Sequence, residues 1–302
     1  MPCRLFPLWI LLLLLQPPAP AAAIDIFVNN LGGSDAADGR AAVGSSPESG
    51  PLRTIARALG LVRGGDRIVL AKTDEPYREE VTLSGPRHSG DSRDPLTIVG
   101  NGATLDGTRP IPPQAWEHFE KDLFRFRPRH LGFQMLYRDG RPLPQVQVPR
   151  GASKLPELKV LQWCLLDGHV YLRLEKLKQP LEYKLAHSAL QTGVTLYGVR
   201  GVAIEDLIVQ GFRYDGISAA DRATGVVLSG VNLRGNGRSG LSVSGASEVR
   251  LISSLVGDNG HVQLRVEYPG KLRVDESDVL DNTAPRVELI NGAKLLINGK
   301  SM

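Results

Sequence analysis

The 302-residue chain has little cysteine and almost no excess of charge of either sign, and each shortage excludes a class of protein. Its only cysteines are Cys3 and Cys164, too few for a disulfide scaffold or for a metal site built on thiolates. The chain has 36 basic and 32 acidic residues, and the resulting net charge of +4 is too small to indicate a nucleic-acid-binding surface. We therefore expect no nucleic-acid partner, and we predict that Cys164 is a buried small hydrophobic residue rather than a reactive thiol.

The chain also lacks a hydrophobic run long enough to span a bilayer, which needs about 20 apolar residues. Its apolar run from Leu8 to Leu15 follows Arg4 and precedes Ala21-Ala22-Ala23. A positive residue, a short apolar stretch and small residues at a cleavage point are typical of a secretory signal peptide. Residues 1–23 are therefore predicted to be removed, leaving a secreted or periplasmic protein with no integral membrane segment.

What the sequence does have is a repeat between Val194 and Ile297. One column of apolar residues is spaced by 24, 23, 23 and 23 positions: Val202, Val226, Val249, Leu272 and Leu295. Six such columns over four repeats hold 22 apolar residues in 24 positions, and they begin at Val202, Ile204, Leu207, Val209, Ile217 and Ala219. Within a repeat the apolar residues come in pairs two apart, which is the alternation of a strand. Three short strands per repeat predict one coil of a parallel β-helix, stabilised by stacking on its neighbours.

A column of asparagines lies at the turn between the second and third strands of the repeat, at Asn236, Asn259 and Asn282. Asparagine tolerates the left-handed conformation of a tight corner, and stacked amides can hydrogen-bond from coil to coil. We interpret this column as structural and assign it no chemistry.

Two segments depart from the repeat. Leu52 to Val62 has a helical pattern of apolar residues, while 108–190 is rich in aromatic residues. In the latter, Asp139-Gly140 and Asp167-Gly168 predict hairpin turns of an antiparallel β insertion, whose aromatic residues form its own core rather than a sugar-stacking platform. The predicted organisation is a signal peptide at 1–23, a cap and first coils at 24–107, the insertion at 108–190 and the repeats at 191–302.

Short motifs follow one another between Pro51 and Gly107. They are Pro51-Leu52-Arg53-Thr54-Ile55, Gly65-Asp66-Arg67-Ile68-Val69-Leu70, Pro76-Tyr77-Arg78-Glu79, Val81-Thr82-Leu83-Ser84-Gly85, Asp94-Pro95-Leu96-Thr97-Ile98 and Leu105-Asp106-Gly107. This set resembles the N-terminal cap and first coils of right-handed parallel β-helix proteins of the pectate-lyase-like superfamily, in the style of chondroitinase B and the alginate lyases. The resemblance covers 29–107 and 193–298. It implies an all-β fold, a right-handed parallel β-helix whose open end is plugged by a helical cap.

Outward-facing residues are the candidates for function, because the interior is apolar. Tyr214, Arg238 and His261 share an outward column, so stacked coils would align them along the rod at steps of roughly 4.8 Å. A β-elimination on a uronic acid polymer needs a base and cations that neutralise the carboxylate, and these three are the candidate catalytic residues, with His261 as the base. Asp215 beside them is a candidate substrate-binding residue.

Arg265 and Glu267, on the adjoining strand, are the other candidate substrate-binding residues. The alternative interpretation of the whole column is a solvated turn edge with an Arg–Asp pair. If the protein acts on or binds an acidic glycan, Arg238 is expected to be its main carboxylate or sulfate contact and, as an outward turn residue, to contribute little to stability.

The resemblance to individual families is partial at this column. Tyr214-Asp215-Gly216-Ile217 resembles the first acidic motif of polygalacturonases, but that family has an Asp pair one coil later, where this chain has Ser239-Gly240. Gly260-His261-Val262 matches its Gly-His-Gly motif only in part, and inverting hydrolysis needs two carboxyl groups. The lyase branch often uses Ca²⁺, for which Asp206, Asp215 and Asp221 are the candidate ligands here.

Two classes of function stay open. One is an exported enzyme acting on acidic polysaccharide, lyase-like first and polygalacturonase-like second. The other is a non-catalytic carbohydrate-binding or cell-surface structural β-helix. A further contact is expected at the C-terminal end, where no clear polar cap is visible and an exposed strand edge invites pairing. The position of the insertion discriminates, because an insertion that walls the Tyr214–Arg238–His261 line into a groove favours the enzyme.

Overall fold

The computed structural model describes residues 23–46, 48–149 and 151–301. The predicted signal peptide, apart from its last residue, lies outside the described residues, and so does Cys3. In the described part of the chain, no helix is both long and apolar enough to cross a membrane.

Parallel strands wind around one core in two sheets. The first sheet contains, among the described residues, the strands Asp25–Val28, Arg67–Leu70, Leu96–Asp106, Arg200–Gln210, Thr224–Ser229, Asn232–Arg234, Glu248–Ile252, Leu255–Gly257, Lys271–Asp275, Asp278–Val279, Lys294–Ile297 and Lys300–Ser301. The second sheet contains Val81–Ser84, Val194–Tyr197, Asp215–Ala220, Ser239–Val243, Val262–Glu267 and Val287–Ile290. Arg200–Gln210 bends between Glu205 and Leu207, so the first sheet covers two sides of the rod and the second sheet covers the third.

The register of the strands is the register of the sequence repeat. Val202 pairs with Val226, Val226 with Val249, Val249 with Leu272 and Leu272 with Leu295, all in parallel. These side chains are buried and belong to one continuous apolar core that runs from the cap to the last coil. The predicted parallel β-helix is therefore confirmed, and its period is the length of chain needed to return to the same side of the rod.

The asparagine column lies at a corner, with two of its three members fully buried. Asn259 Oδ1 accepts from the backbone N–H of Asn236 at 2.9 Å and from its side-chain amide at 3.1 Å. Gln263 then separates Asn259 from Asn282, accepting from Asn259 at 2.8 Å and donating to Asn282 at 3.3 Å. The left-handed backbone is taken by the preceding residues, Gly235 and Asp258, so the asparagines are there for their amides and not for that conformation.

The N-terminal cap contains a shorter helix than the apolar pattern predicts. The helix spans Ile55–Leu59, and the Thr54 side chain caps it by accepting from the Arg57 N–H. Two other N–H groups of the first turn, those of Ile55 and Ala56, donate to the Glu79 carboxylate at 3.0 Å each. Leu52 and Val62 are buried although they lie outside the helix, because the turns on either side continue the same apolar face.

The insertion is antiparallel and has its own core. One sheet contains Thr108–Pro110, Leu136–Arg138, Arg141–Pro142 and Leu185–Ser188; the other contains Glu117–Glu120, Leu123–Phe126, Trp163–Leu166 and His169–Arg173. Short 3-10 helices span Pro86–His88 before it, and Pro113–Ala115 and Pro180–Glu182 within it. Asp139-Gly140 and Asp167-Gly168 turn two of the hairpins, each with positive φ at both residues, as predicted.

Aromatic side chains fill the core of the insertion: Phe124, Phe126 and Trp163 are buried there with Leu136 and Leu172. Cys164 is buried beside them, and burial raises the pKa of its thiol to about 11. The thiol is therefore an inert apolar group, as predicted.

At the last described coil, the short strand Lys300–Ser301 turns back antiparallel to Lys294–Ile297. In the second sheet, Val287–Ile290 pairs with a described strand on one edge only, and its Leu289 is 38% exposed. The first sheet thus ends on a hairpin while the second ends on an open strand.

Candidate functional site

Tyr214, Arg238 and His261 lie at one corner of the rod, each directly before a strand of the second sheet. The Arg238 N–H donates to the Tyr214 carbonyl at 2.8 Å, and the residue after His261 donates to the Arg238 carbonyl at 3.0 Å. Parallel strands place these three residues in a line because they share a register position in successive coils.

Arg238 does not project freely from this line. Its guanidinium forms a two-pronged ion pair with Asp215, with Nε 3.0 Å from Oδ1, and Ser239 donates to the same oxygen at 2.6 Å. The Asp215 side chain is 1% exposed, and its carboxylate raises the pKa of Arg238. The guanidinium also lies 5.4 Å from the centroid of the Tyr214 ring. Because Arg238 neutralises a buried charge, we now expect its removal to be costly, in contrast to the small contribution expected for an outward turn residue.

The insertion crosses this corner. Phe133 packs edge-on against Tyr214, with 5.8 Å between ring centroids, and against His261 at 5.3 Å. Backbone approaches backbone so closely that a Cβ on Gly237 would lie 1.8 Å from the Phe133 carbonyl oxygen. A Cβ on Gly260 would likewise lie 2.7 Å from the Met135 sulfur. Glycine at these two positions of the coil is what lets the insertion dock on the line.

Between the insertion and the corner lies a cleft of about 220 Å³, onto which His261 opens. Its other side chains are an aromatic ring, three amides and two aliphatic groups, from Phe133, Gln134, Gln145, Gln147, Val148 and Leu165. Neither Arg238 nor Tyr214 lines it. The insertion therefore walls His261 into a groove but separates it from the cation predicted to work with it.

Arg265 and Glu267, the two candidate residues of the adjoining strand, belong to a separate ion-pair network. Arg265 lies 3.1 Å from Glu267 and 3.3 Å from Glu288 on the neighbouring coil. His261 Nε2 is 3.8 Å from the other oxygen of Glu288. Arg265 is thus held between two carboxylates, and Glu288 connects it to His261; the sequence analysis did not single out Glu288.

The three candidate Ca²⁺ ligands do not fit a calcium site. Asp215 is occupied by Arg238 and Ser239, while Asp206 and Asp221 lie in left-handed turns at other corners of the coil. Across the described ranges, no three Asp, Glu, His or Cys side chains gather closely enough to hold a metal ion.

A larger groove, of about 670 Å³, lies on the outside of the first sheet over the last four coils. Four cations line it in two columns, Lys271 with Lys294 and Arg250 with Arg273, accompanied by one carboxylate, Glu248. Both arginines pair with the single carboxylate of Asp275, at 2.9 Å each, and together they lower its pKa. The sequence analysis missed this groove, although the cations repeat every 23 residues, because it searched only the columns beside the corner.

Residues 188–300 match the protein family described as right handed beta helix region. This match covers the repeats and extends over every coil that follows the insertion. The chain contains a right-handed β-helix. The handedness expected from the resemblance is thereby confirmed, and with it the all-β fold of this type.

Solved structures to which this chain is similar include three with distant sequences. A complex of XylC with xylose shares 13% identity over 91% of this chain and 70% of that chain, with a TM-score of 0.45. A GH136 lacto-N-biosidase from Eubacterium ramulus shares 12% over 91% of this chain and 52% of its own, with a TM-score of 0.41. The pectate lyase Pel9A shares 11% over 92% of this chain and 75% of its own, with a TM-score of 0.30.

This chain therefore spans about half the length of the lacto-N-biosidase. No curated protein matches the sequence.

The chemistry available to the right-handed β-helix follows from these networks. Asp215 is closed off by its partners, so it cannot serve as one of the two carboxyl groups that flank a bond in hydrolysis. Arg238 is committed to Asp215 and does not reach the cleft that holds His261. The cations of the groove on the first sheet, in contrast, face solvent and exceed their carboxylates in number.

Proposed function

We propose that this protein binds extracellular acidic polysaccharide along the outside of its β-helix and does not cleave it. The observation that carries this proposal is the surplus of cations in the groove of the first sheet. Arg250 and Arg273 share one carboxylate, so one positive charge stays uncompensated. Lys271 pairs with Glu248, while Lys294 forms no ion pair with any described residue.

The direction of the groove suits a linear polyanion. Its two cation columns run along the rod with one step per coil, about 4.8 Å. The lysine and arginine stems, together with Val227 and Leu296, give the groove floor an apolar surface. An extended chain of charged sugars lying along the columns would meet a cation at each coil and an apolar surface between them.

The experiment is a binding titration of the exported form, residues 24–302, with sodium polygalacturonate, alginate and neutral dextran. We expect binding of the two acidic polymers that weakens as salt is added, because exposed charges are screened. Replacing Lys271 and Lys294 by glutamine is expected to weaken binding about tenfold, since each exposed charged contact is worth roughly 1 kcal/mol at most.

Lys121→Gln is the matched control, because it removes an exposed lysine of the insertion. This lysine is distant from the groove in sequence and belongs to a hairpin of a different sheet. It should bind like the unmodified protein. Equal binding of dextran, or no effect of the two groove substitutions, would reject the proposal.

Cleavage is the second candidate function, and the cleft beside His261 favours it. The aromatic ring of Phe133 and three glutamine amides are groups that hold sugars, and an imidazole can take a proton. Under this alternative His261 is the base of a lyase. Absorbance of an unsaturated product, measured with both acidic polymers and lost in His261→Ala, would replace the binding proposal by this one.

A further inference from the structure

A second cavity, of about 430 Å³, lies between the insertion and the β-helix and has a strongly one-sided charge. Its cationic and imidazole side chains come from both parts of the molecule: Arg109, Arg127, Arg129, His130, His187 and Arg213. No carboxylate is among its lining residues. It shares no residue with the groove on the first sheet or with the cleft beside His261.

Arg213 lies at the base of this cavity and is only 4% exposed. Its Nε has no hydrogen-bond partner, and within the described residues its guanidinium pairs with no carboxylate. Its one close aromatic neighbour is the Tyr214 ring, 5.5 Å away. Arg238, which is also close to that ring, has a buried Asp215 to neutralise it, whereas Arg213 has no equivalent partner among the described residues.

A buried cation without a counter-charge is costly, so its retention needs an explanation. Water and the Tyr214 ring compensate such a charge only in part. An anion in the cavity would compensate it fully, because the planar guanidinium offers parallel N–H groups that match two oxygens of a carboxylate, sulfate or phosphate.

His187 supports the same ligand. Its Nδ1 is also a buried atom without a hydrogen-bond partner, and His187 lies directly across from Arg109 in the insertion sheet. Burial, and after it the charge of Arg213, lowers the pKa of His187, so the ring is neutral at neutral pH. A neutral imidazole can still donate one N–H to an anion.

The other lining residues add exposed arginines and apolar side chains to the site. Arg109, Arg127 and Arg129 are exposed and surround its mouth, where they would attract an anion before it reaches Arg213. Ile111 and Phe126 form part of an apolar wall. The volume is within the range of small-molecule sites and exceeds what a single inorganic anion fills.

We propose that this cavity binds an oxyanion group, either as a free anion or as part of a charged ligand of up to about monosaccharide size, with Arg213 as its main contact. Arg127 and Arg129 at the mouth would assist, and the apolar wall would contact the uncharged part of the ligand. This site is independent of the polysaccharide groove, and the ligand is either a free anion or a charged sugar.

The test is calorimetric titration of residues 24–302 with inorganic phosphate, sodium glucuronate and neutral glucose. Phosphate, glucuronate or both should bind and glucose should not. In Arg213→Met, binding should weaken about ten- to hundredfold, because a charge-assisted contact is lost. This variant should still fold, since removing Arg213 leaves no buried carboxylate unpaired.

Two further variants keep the test decisive should Arg213→Met fail to fold. Arg127→Gln with Arg129→Gln changes only exposed residues and should weaken binding of the same ligands. Arg141→Gln, an exposed arginine of the insertion outside this cavity, is the matched control and should bind normally.

The proposal is overturned if neither phosphate nor glucuronate binds, if glucose binds as tightly as glucuronate, or if the Arg213 and mouth variants both bind normally. Binding of phosphate alone would indicate a free anion as the ligand, and tighter binding of glucuronate a charged sugar. Loss of polygalacturonate binding in the Lys271 and Lys294 variant would leave this result unchanged, so the two proposals fail separately.

Discussion

At the scale of single residues, the arginines at positions 213 and 238 both lie close to the Tyr214 ring, but among the described residues only Arg238 is paired with a carboxylate. Replacing Arg238 by alanine leaves the carboxylate of Asp215 buried and unpaired, with Ser239 as its remaining side-chain partner. We expect this variant to lose about 3–5 kcal/mol of unfolding free energy, the usual cost of breaking a buried pair from one side. Denaturant unfolding measures the loss.

The control for this prediction is the double variant Asp215→Ala with Arg238→Ala, which removes both charges. It should recover part of the lost stability, because no buried charge then remains without a partner. A single Arg238→Ala variant as stable as the unmodified protein would contradict the ion pair described here.

His187 gives the fold a pH dependence. Its pKa is lowered in the folded protein from the ordinary 6.5 by burial first and Arg213 second. The unfolded chain therefore binds a proton at a pH where folded His187 does not, so stability falls as the pH drops below about 6.5. The groups that face it across the cavity are cationic or neutral and do not oppose this trend: Arg109, Arg127, Arg129, His130 and Arg213.

We therefore expect the denaturation midpoint to fall between about pH 7.5 and 5.5, and to fall less in His187→Gln. Unfolding curves at several pH values, recorded for both proteins without phosphate, provide the measurement. An identical pH profile in the two proteins would show that His187 titrates normally.

At the scale of elements, the corner formed by the buried amides holds successive coils together. Asn259 accepts two hydrogen bonds from Asn236 and donates one to Gln263. Its removal therefore leaves buried polar groups of both residues without these partners. We expect Asn259→Ala to lose about 2–4 kcal/mol, because each unsatisfied buried group costs about 1–3 kcal/mol. Asn282→Ala, at the exposed end of the same column, is the matched control and should lose less.

The junction between the insertion and the β-helix depends on a glycine. The Cβ of an alanine at position 237 would lie 1.8 Å from the Phe133 carbonyl oxygen and 2.4 Å from that of Arg213, so it would collide with backbone on both sides. Gly237→Ala is expected to detach the insertion from the corner while the coils persist. Near-ultraviolet circular dichroism and proteolysis of 128–136 would detect this, and an unchanged digestion pattern would argue against it.

At the scale of the whole molecule, stability is distributed coil by coil, since each coil contacts only its neighbours. Among the strands that the structure describes, Ser239–Val243 has a neighbour on both edges, and Val287–Ile290 has a neighbour on one. Amide hydrogens of Val287–Ile290 should therefore exchange with solvent faster than those of Ser239–Val243, as hydrogen-exchange mass spectrometry can measure. Equal protection of both strands would indicate that the rod opens only as a unit.

The sequence by itself determined the coil and its register. Val202, Val226, Val249 and Leu272 recur with the period of one turn, and a side chain that must be buried at each turn leaves that spacing visible in a single chain. The hairpins at Asp139-Gly140 and Asp167-Gly168 could also be predicted from the sequence, because the conformation of a tight turn depends on the residues within it.

Only the tertiary structure decided which polar side chains are used up in holding the fold and which remain available. An Arg–Asp pair at Arg238 is compatible with the sequence pattern, but the burial of Asp215 against Arg238 and Ser239 is seen only once the coils are stacked. Arg213 gave no signal at all, because its cavity is lined by residues from three separate parts of the chain, 109–130, 187–189 and 213. Strand periodicity is a property of neighbours in sequence, whereas charge compensation is a property of neighbours in space.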